Sequence, residues 1–153
     1  MAAVVGIVMG SRSDEPLAQE TQRVLDDLNI EYETSVLSAH RMPERTGEYA
    51  RTARDRGIDV LIGIAGAAAH LPGVLAGWTT LPVIGVPATG SPLNGLDALY
   101  SIVQMPPGVP VASVAIGSMG ARNAAYLAAA ILSLKHPPVQ QAWDAFRLRQ
   151  SQG

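Results

Sequence analysis

Apolar, β-branched runs recur along the chain at Val4–Met9, Tyr32–Leu37, Val60–Ile64, Pro82–Val86 and Val111–Ile116. They read as continuous rather than alternating, the pattern of strands buried on both faces of a parallel sheet. Amphipathic stretches fill the gaps. Leu17, Thr21, Val24, Leu25 and Leu28 share one face of a helix predicted over Asp14–Leu28. A second helix is predicted from Pro43 to Arg56, stopped by Gly57. Its Glu44, Glu48, Arg51 and Asp55 form a solvated, charge-paired face. A short helix should follow His70, another should span Leu93–Gln104, and an alanine-rich one should span Ala121–Leu134. Five strand–helix alternations predict an α/β three-layer sandwich with right-handed crossovers.

One helix falls outside that rhythm. After "KHPP" (135–138) a stretch over Val139–Gln150 carries Trp143 and Phe146. The chain is therefore read as one catalytic α/β domain over residues 1–136 with a helical extension of the same domain over 137–153. The bulky residues of that extension need a surface, on the same domain or, as we expect, on a neighbouring subunit.

Composition narrows the class. Hydrophobic residues are 48% and charged ones 16%, which excludes a disordered chain and suggests more buried surface than a lone monomer needs. A net charge of −2 offers no footprint for nucleic acid. No apolar run is long enough to span a membrane. The opening "MAAVVGIVMG" has no basic segment before its apolar run, so no signal peptide is expected. The absence of cysteine removes disulfides, thiol nucleophiles and cysteine metal sites, and fits a cytoplasmic protein.

In a parallel α/β sheet the chemistry sits at the carboxyl ends of the strands. The first junction, "MGSRSDEP", is either a well-capped helix start or a cradle for phosphate or ribose. Gly10 allows close backbone approach, Ser11 and Ser13 offer hydroxyls, and Ser13 is the candidate cap. Asp14 would repel phosphate, so it suits sugar hydroxyls or an amine. The second junction, "LSAHRMPE", sets His40 and Arg41 together beside Ser38. An imidazole moves protons near neutral pH, and a guanidinium binds phosphate or carboxylate through two bonds. The third, "IAGAAAHLPG", has almost no side-chain bulk at Gly66, Ala67, Ala68 and Ala69. That suits backbone approach to a ligand or tight helix–sheet packing. His70 is a second polar group of the site or a helix-start residue bonded to the backbone. In the long fourth junction Asn94 and Asp97 are polar contacts or caps. The fifth holds Gly117, Ser118, Gly120 and Asn123, with Ser118 a candidate cap. His40 and His70 sit on different junctions without a carboxylate pair, which argues against a metal, and no Gly-x-Ser-x-Gly elbow points to a hydrolase.

In this order, "GIVMGSRSD", "SAHRMPE", "AGAAAHLPG", "GVPATGSPLNGLDALYSIVQMPPGVPVASVAIG" and "ARNAAYLAAAIL" resemble the N5-carboxyaminoimidazole ribonucleotide mutase family over residues 4–134. The resemblance implies a flavodoxin-like three-layer αβα sandwich and a homo-octamer whose C-terminal helices reach onto neighbours. It implies an isomerase of de novo purine biosynthesis that moves a carboxylate from the exocyclic nitrogen to the ring carbon. It implies no metal, ATP or organic cofactor, and carbon dioxide released and recaptured in a closed pocket. His40 takes the place of the catalytic histidine. Ser11, Asp14 and Arg41 take ligand-binding places, with Ser38 in the same motif and Ala65–Gly73 as the small-residue loop. The alternatives are a carboxylase that uses free carbon dioxide and a flavodoxin-like nucleotide-binding module without catalysis. The chain departs from the family at Ala67, where glycine is usual. Alanine there is strained if φ is positive and harmless if only smallness matters; the second is expected.

Overall fold

The computed structural model describes residues 2–153. Strands β1 (Val5–Met9), β2 (Tyr32–Val36), β3 (Val60–Ala65), β4 (Val83–Pro87) and β5 (Ala112–Ser113) form one parallel sheet in the order β2-β1-β3-β4-β5. Between them run α1 (Glu15–Asp27), α2 (Pro43–Ala53), α3 (Leu71–Trp78) and α4 (Leu96–Val103), followed by α5 (Ser118–Leu132) and α6 (Pro137–Ser151). Short 3-10 turns occupy Arg12–Asp14 and Arg54–Arg56. The expected flavodoxin-like three-layer architecture is the one observed.

Side-chain alternation along each strand divides the interior into two cores. Val5, Ile7, Met9, Val60, Ile62 and Ile64 meet α1 and α5 on one face. Val8, Leu61, Val83 and Ala65 meet α2, α3 and α4 on the other. Gly63 and Gly85 lie opposite each other in the register of β3 and β4. Each admits a helix: a methyl at Gly63 would sit 3.1 Å from the Pro72 side chain, and one at Gly85 would press on Ile102.

The central strands β1, β3 and β4 are buried throughout, as their apolar runs predict. The outer strands differ. β2 reads Tyr-Glu-Thr-Ser-Val and is only half-buried, because it is an edge strand with one open side. β5 pairs over two residues rather than the six expected. Val114 N–H still donates to Gly85 O (3.1 Å) and Gly117 N–H to Pro87 O (2.9 Å), so the chain follows β4 loosely along the other edge.

Helix boundaries also shift for local reasons. α4 starts at Leu96, not Leu93, because Asn94 (φ +55°) and Gly95 (φ +87°) are left-handed. α5 starts at Ser118 after Gly117 (φ +77°), and Ser118 is the first helical residue rather than a cap. α2 ends as predicted, through a 3-10 turn into left-handed Gly57. Of the charges expected to pair on its outer face, Glu48 and Arg51 do.

α6 lies along α5 of its own chain. The Phe146 ring stacks on Tyr126 with centroids 4.6 Å apart, and Trp143 lies 5.7 Å from the same ring. Its start is tied to the sheet. Asp59, just before β3, accepts from Lys135 Nζ (2.7 Å) and pairs with His136 Nε2 (2.6 Å). Among the described residues no helix is long and apolar enough to cross a membrane.

Candidate active site

The order β2-β1-β3 makes the loops after β1 and β3 leave in different directions, which opens a crevice outside the strand ends. Backbone bonds beyond the strands hold its walls. Leu37 N–H donates to Met9 O (2.8 Å), Gly10 N–H to Ile64 O (2.9 Å) and Ala88 N–H to Ala65 O (2.9 Å). The cavity measures about 590 Å³, within the range of small-molecule sites. Of the residues expected at the first three junctions, Gly10, Ser11, Ser13, Asp14, Ser38, His40, Arg41, Gly66 and Ala67 line it, and His70 does not.

The loop after β1 supplies Gly10, Ser11, Ser13 and Asp14. Ser13 does not cap α1. Instead Ser11 Oγ accepts from Ser13 N–H (3.3 Å) and from the Ser13 hydroxyl (3.0 Å), capping the 3-10 turn before the helix. Asp14 holds the N-cap position of α1 and makes no side-chain cap bond. Burial raises the Asp14 pKa above its ordinary 3.8, against the opposing hydrogen bond from the Ser11 backbone.

The loop after β2 supplies Ser38, Ala39, His40 and Arg41. Ser38 shapes the turn: its Oγ accepts from Arg41 N–H (3.2 Å) and its carbonyl from Met42 N–H (2.7 Å). Pro43 then opens α2, so His40 and Arg41 stand at the rim. Among the described residues Arg41 makes no ion pair, which leaves its guanidinium to an anion.

The loop after β3 adds Gly66, Ala67 and Ala68. Its smallness is needed at Gly66, where a methyl would lie 3.2 Å from Ala88 Cβ. Ala67 overturns the expectation of a harmless substitution. Its φ is +50°, the left-handed region where a Cβ crowds the backbone.

Sequence reasoning missed Thr89, Gly90 and Ser91 after β4, which close the remaining wall. The residues expected from that junction, Asn94 and Asp97, do not line the cavity. Asp97 accepts from Ser91 Oγ (2.7 Å), and Asn94 serves the turn. The available signal was position: Thr89 and its neighbours directly follow the carboxyl end of a buried strand. Of the fifth junction, Gly117, Ser118, Gly120 and Asn123 stay outside the cavity.

His70 reaches the site in another way. It occupies the N-cap position of α3 without a side-chain cap bond, and its Nδ1 lies 2.8 Å from His40 Nε2. Its ring therefore bonds a catalytic candidate, not the backbone.

A sheet of this order, with a histidine–arginine pair facing a serine–aspartate loop across one crevice, agrees with the comparisons of the whole chain. The AIR carboxylase profile matches residues 4–153. The chain belongs to the AIR carboxylase family. Its similar relatives include the N5-carboxyaminoimidazole ribonucleotide mutase of Pyrococcus abyssi, 59% identical over 94% of this chain and 81% of the relative. The mutase of the same name from Bacillus subtilis is 59% identical over 87% of this chain and 82% of its own length. Among solved structures, Treponema denticola PurE superposes with a TM-score of 0.84 at 30% identity, covering 97% of this chain and 91% of that one. The chain thus resembles these relatives along nearly its whole length.

Proposed function

We propose that this chain interconverts N5-carboxyaminoimidazole ribonucleotide and 4-carboxy-5-aminoimidazole ribonucleotide, an isomerase step of purine biosynthesis. The observation that carries the reading is the meeting of His40, Arg41, Ser11 and Asp14 in one cavity, in a chain 59% identical to a relative named for that mutase.

The roles follow from charge and position. Arg41 takes the nucleotide phosphate. Asp14 accepts the ribose hydroxyls. The small residues at 66–68 bring the loop wall close to the reacting ring and exclude water. His40 moves the proton. The nitrogen–carboxylate bond breaks, carbon dioxide is released, and His40 protonates the departing nitrogen. The ring carbon then attacks the held carbon dioxide, and His40 removes the proton that carbon carried. The enzyme ends as it began, without an external acid, base or oxidant.

The same reading extends to assembly and place. The protein works as a cytoplasmic homo-octamer, and α6 contacts a neighbouring subunit through what α5 leaves uncovered.

The test follows the ultraviolet absorbance of the two carboxylated nucleotides with purified protein, without ATP or metal. Rapid interconversion, with little capture of bicarbonate by the decarboxylated nucleotide, supports the mutase. Efficient capture without interconversion would assign the carboxylase reaction instead. His40→Asn should still bind nucleotide while turnover falls by about 10²–10⁴; undiminished turnover would remove His40 from the mechanism.

A further inference from the structure

The His40–His70 contact is more specific than the proposed reaction requires. The two ring nitrogens stand 2.8 Å apart, and the rings are perpendicular with centroids 5.0 Å apart. One nitrogen of the pair must carry a proton and the other must be bare. We propose that His70 is a positioning residue for His40: its bare Nδ1 accepts from His40 Nε2–H throughout the reaction, leaving His40 Nδ1 as the nitrogen that exchanges a proton with substrate. The inference rests on the reading of His40 as the acid–base group.

Three observations support the assignment, and the second sets the direction of the bond. First, the backbone of His70 is held independently of its ring. Its N–H donates to Ala68 O (2.8 Å) and its carbonyl accepts from Val74 N–H (2.9 Å). The ring makes no cap bond, and among the described residues its hydrogen bond is to His40. Second, His70 sits at the N-terminus of α3, where aligned peptide dipoles disfavour a positive charge. When the pair carries an extra proton, that proton belongs on His40, so His70 stays the acceptor. Third, His40 lines the cavity and His70 does not. The Nε2 edge of His40 is committed to His70, and Nδ1 is the nitrogen that remains.

The arrangement gives His40 one working nitrogen. In the forward direction Nδ1–H passes its proton to the exocyclic nitrogen as the nitrogen–carboxylate bond breaks. Bare Nδ1 then takes the proton of the ring carbon after the carbon–carbon bond forms. Nε2–H stays bonded to His70 in both half-steps, so the ring neither flips nor changes tautomer between giving and taking. With the opposite direction, His70 Nδ1–H donating to His40 Nε2, a neutral His40 would carry its proton on Nδ1 and be unable to act there as a base.

The experiment compares His70→Phe, which keeps ring bulk and removes the acceptor, with His70→Asn, which restores an acceptor oxygen close to the position of Nδ1. We expect His70→Phe to lower kcat about 10–100-fold, by analogy with the loss of partners that orient metal-binding histidines. KM should stay near the wild-type value, and His70→Asn should recover most of kcat. A His70→Phe enzyme with wild-type kcat, or a folded His70→Asn enzyme no better than His70→Phe, overturns the proposal. Nitrogen-15 spectra of histidine-labelled wild-type protein provide a readout independent of turnover, with three histidines to assign. Protonated Nε2 on His40 with bare Nδ1 on His70 supports the proposal, and protonated Nδ1 on His70 overturns it. Should wild-type protein fail to interconvert the nucleotides, the functional reading falls, while these spectra still decide the bond.

Discussion

At Ala67 the backbone holds φ at +50° on the wall of the cavity. A left-handed L-residue costs about 1–2 kcal/mol, and glycine returns part of that through its freer unfolded chain. Ala67→Gly should therefore raise stability by about 0.5–1 kcal/mol, read as a small increase in thermal midpoint; an unchanged or lower midpoint would contradict the strain. Asp14 carries a different cost. Burial raises its folded pKa above 3.8, so folding favours the neutral carboxyl. Stability from this group is present below the unfolded pKa and is lost as pH rises through the folded one. Asp14→Asn should accordingly stabilise the protein at neutral pH, with the advantage vanishing in acid below the ordinary carboxyl value. It should also weaken nucleotide binding. Melting curves across pH and a binding titration check both halves. These residues were visible in the sequence as types at junctions. The angle at Ala67 and the burial of Asp14 were not, because both come from neighbours distant in the chain.

Two elements are decided by what meets them. Asp59 joins the start of β3 to the α5–α6 turn through Lys135 and His136. Burial alone would raise its pKa, but the hydrogen bonds and charge interactions with Lys135 and His136 together outweigh burial and hold it below 3.8. Stability from a lowered carboxylate is present above the unfolded pKa and lost as pH falls through the folded one. Asp59→Asn should cost about 0.5–1 kcal/mol at neutral pH, since the Lys135 partner is exposed and screened by solvent, a difference that shrinks in strong acid. Its first structural effect should be faster amide exchange in α6. Gly120 tests the approach of α5 to the chain before it. A methyl there would overlap the Ala115 carbonyl oxygen, and backbone has little room to move. Gly120→Ala should cost about 3 kcal/mol or more, measured by denaturant unfolding. The alanine-rich pattern announced a helix from Ala121, but nothing local announced that Gly120 joins it or which carbonyl it packs on.

For the whole molecule, the uncovered apolar residues are the informative feature. Leu96, Tyr100 and Val103 are exposed along α4 at helical spacing, and Leu93 and Met119 are also exposed. Such a stripe fits the proposed octamer. Light scattering should give about eight times the subunit mass, and a mass near one subunit would refute the assembly.

Periodicity along the sequence determined by itself the buried strands β1, β3 and β4, the helices between them and the α/β class. Those signals are local: side-chain period, turn residues and small residues at junctions. They also placed His40, Arg41, Ser11 and Asp14 at strand ends, where a parallel sheet holds its chemistry. The edges were legible in part: β2 was located to within a residue but is only half-buried, and β5 pairs over two residues, because each lacks a neighbour on one side. Only the tertiary structure decided which junctions face one another. The order β2-β1-β3-β4-β5 brings Thr89–Ser91 to the wall and sets His70 against His40, 30 positions apart. The same folding ties Asp59 to Lys135 across 76 positions. No pattern along the chain encodes those meetings, because they arise from the packing of separate strands and helices into one sheet.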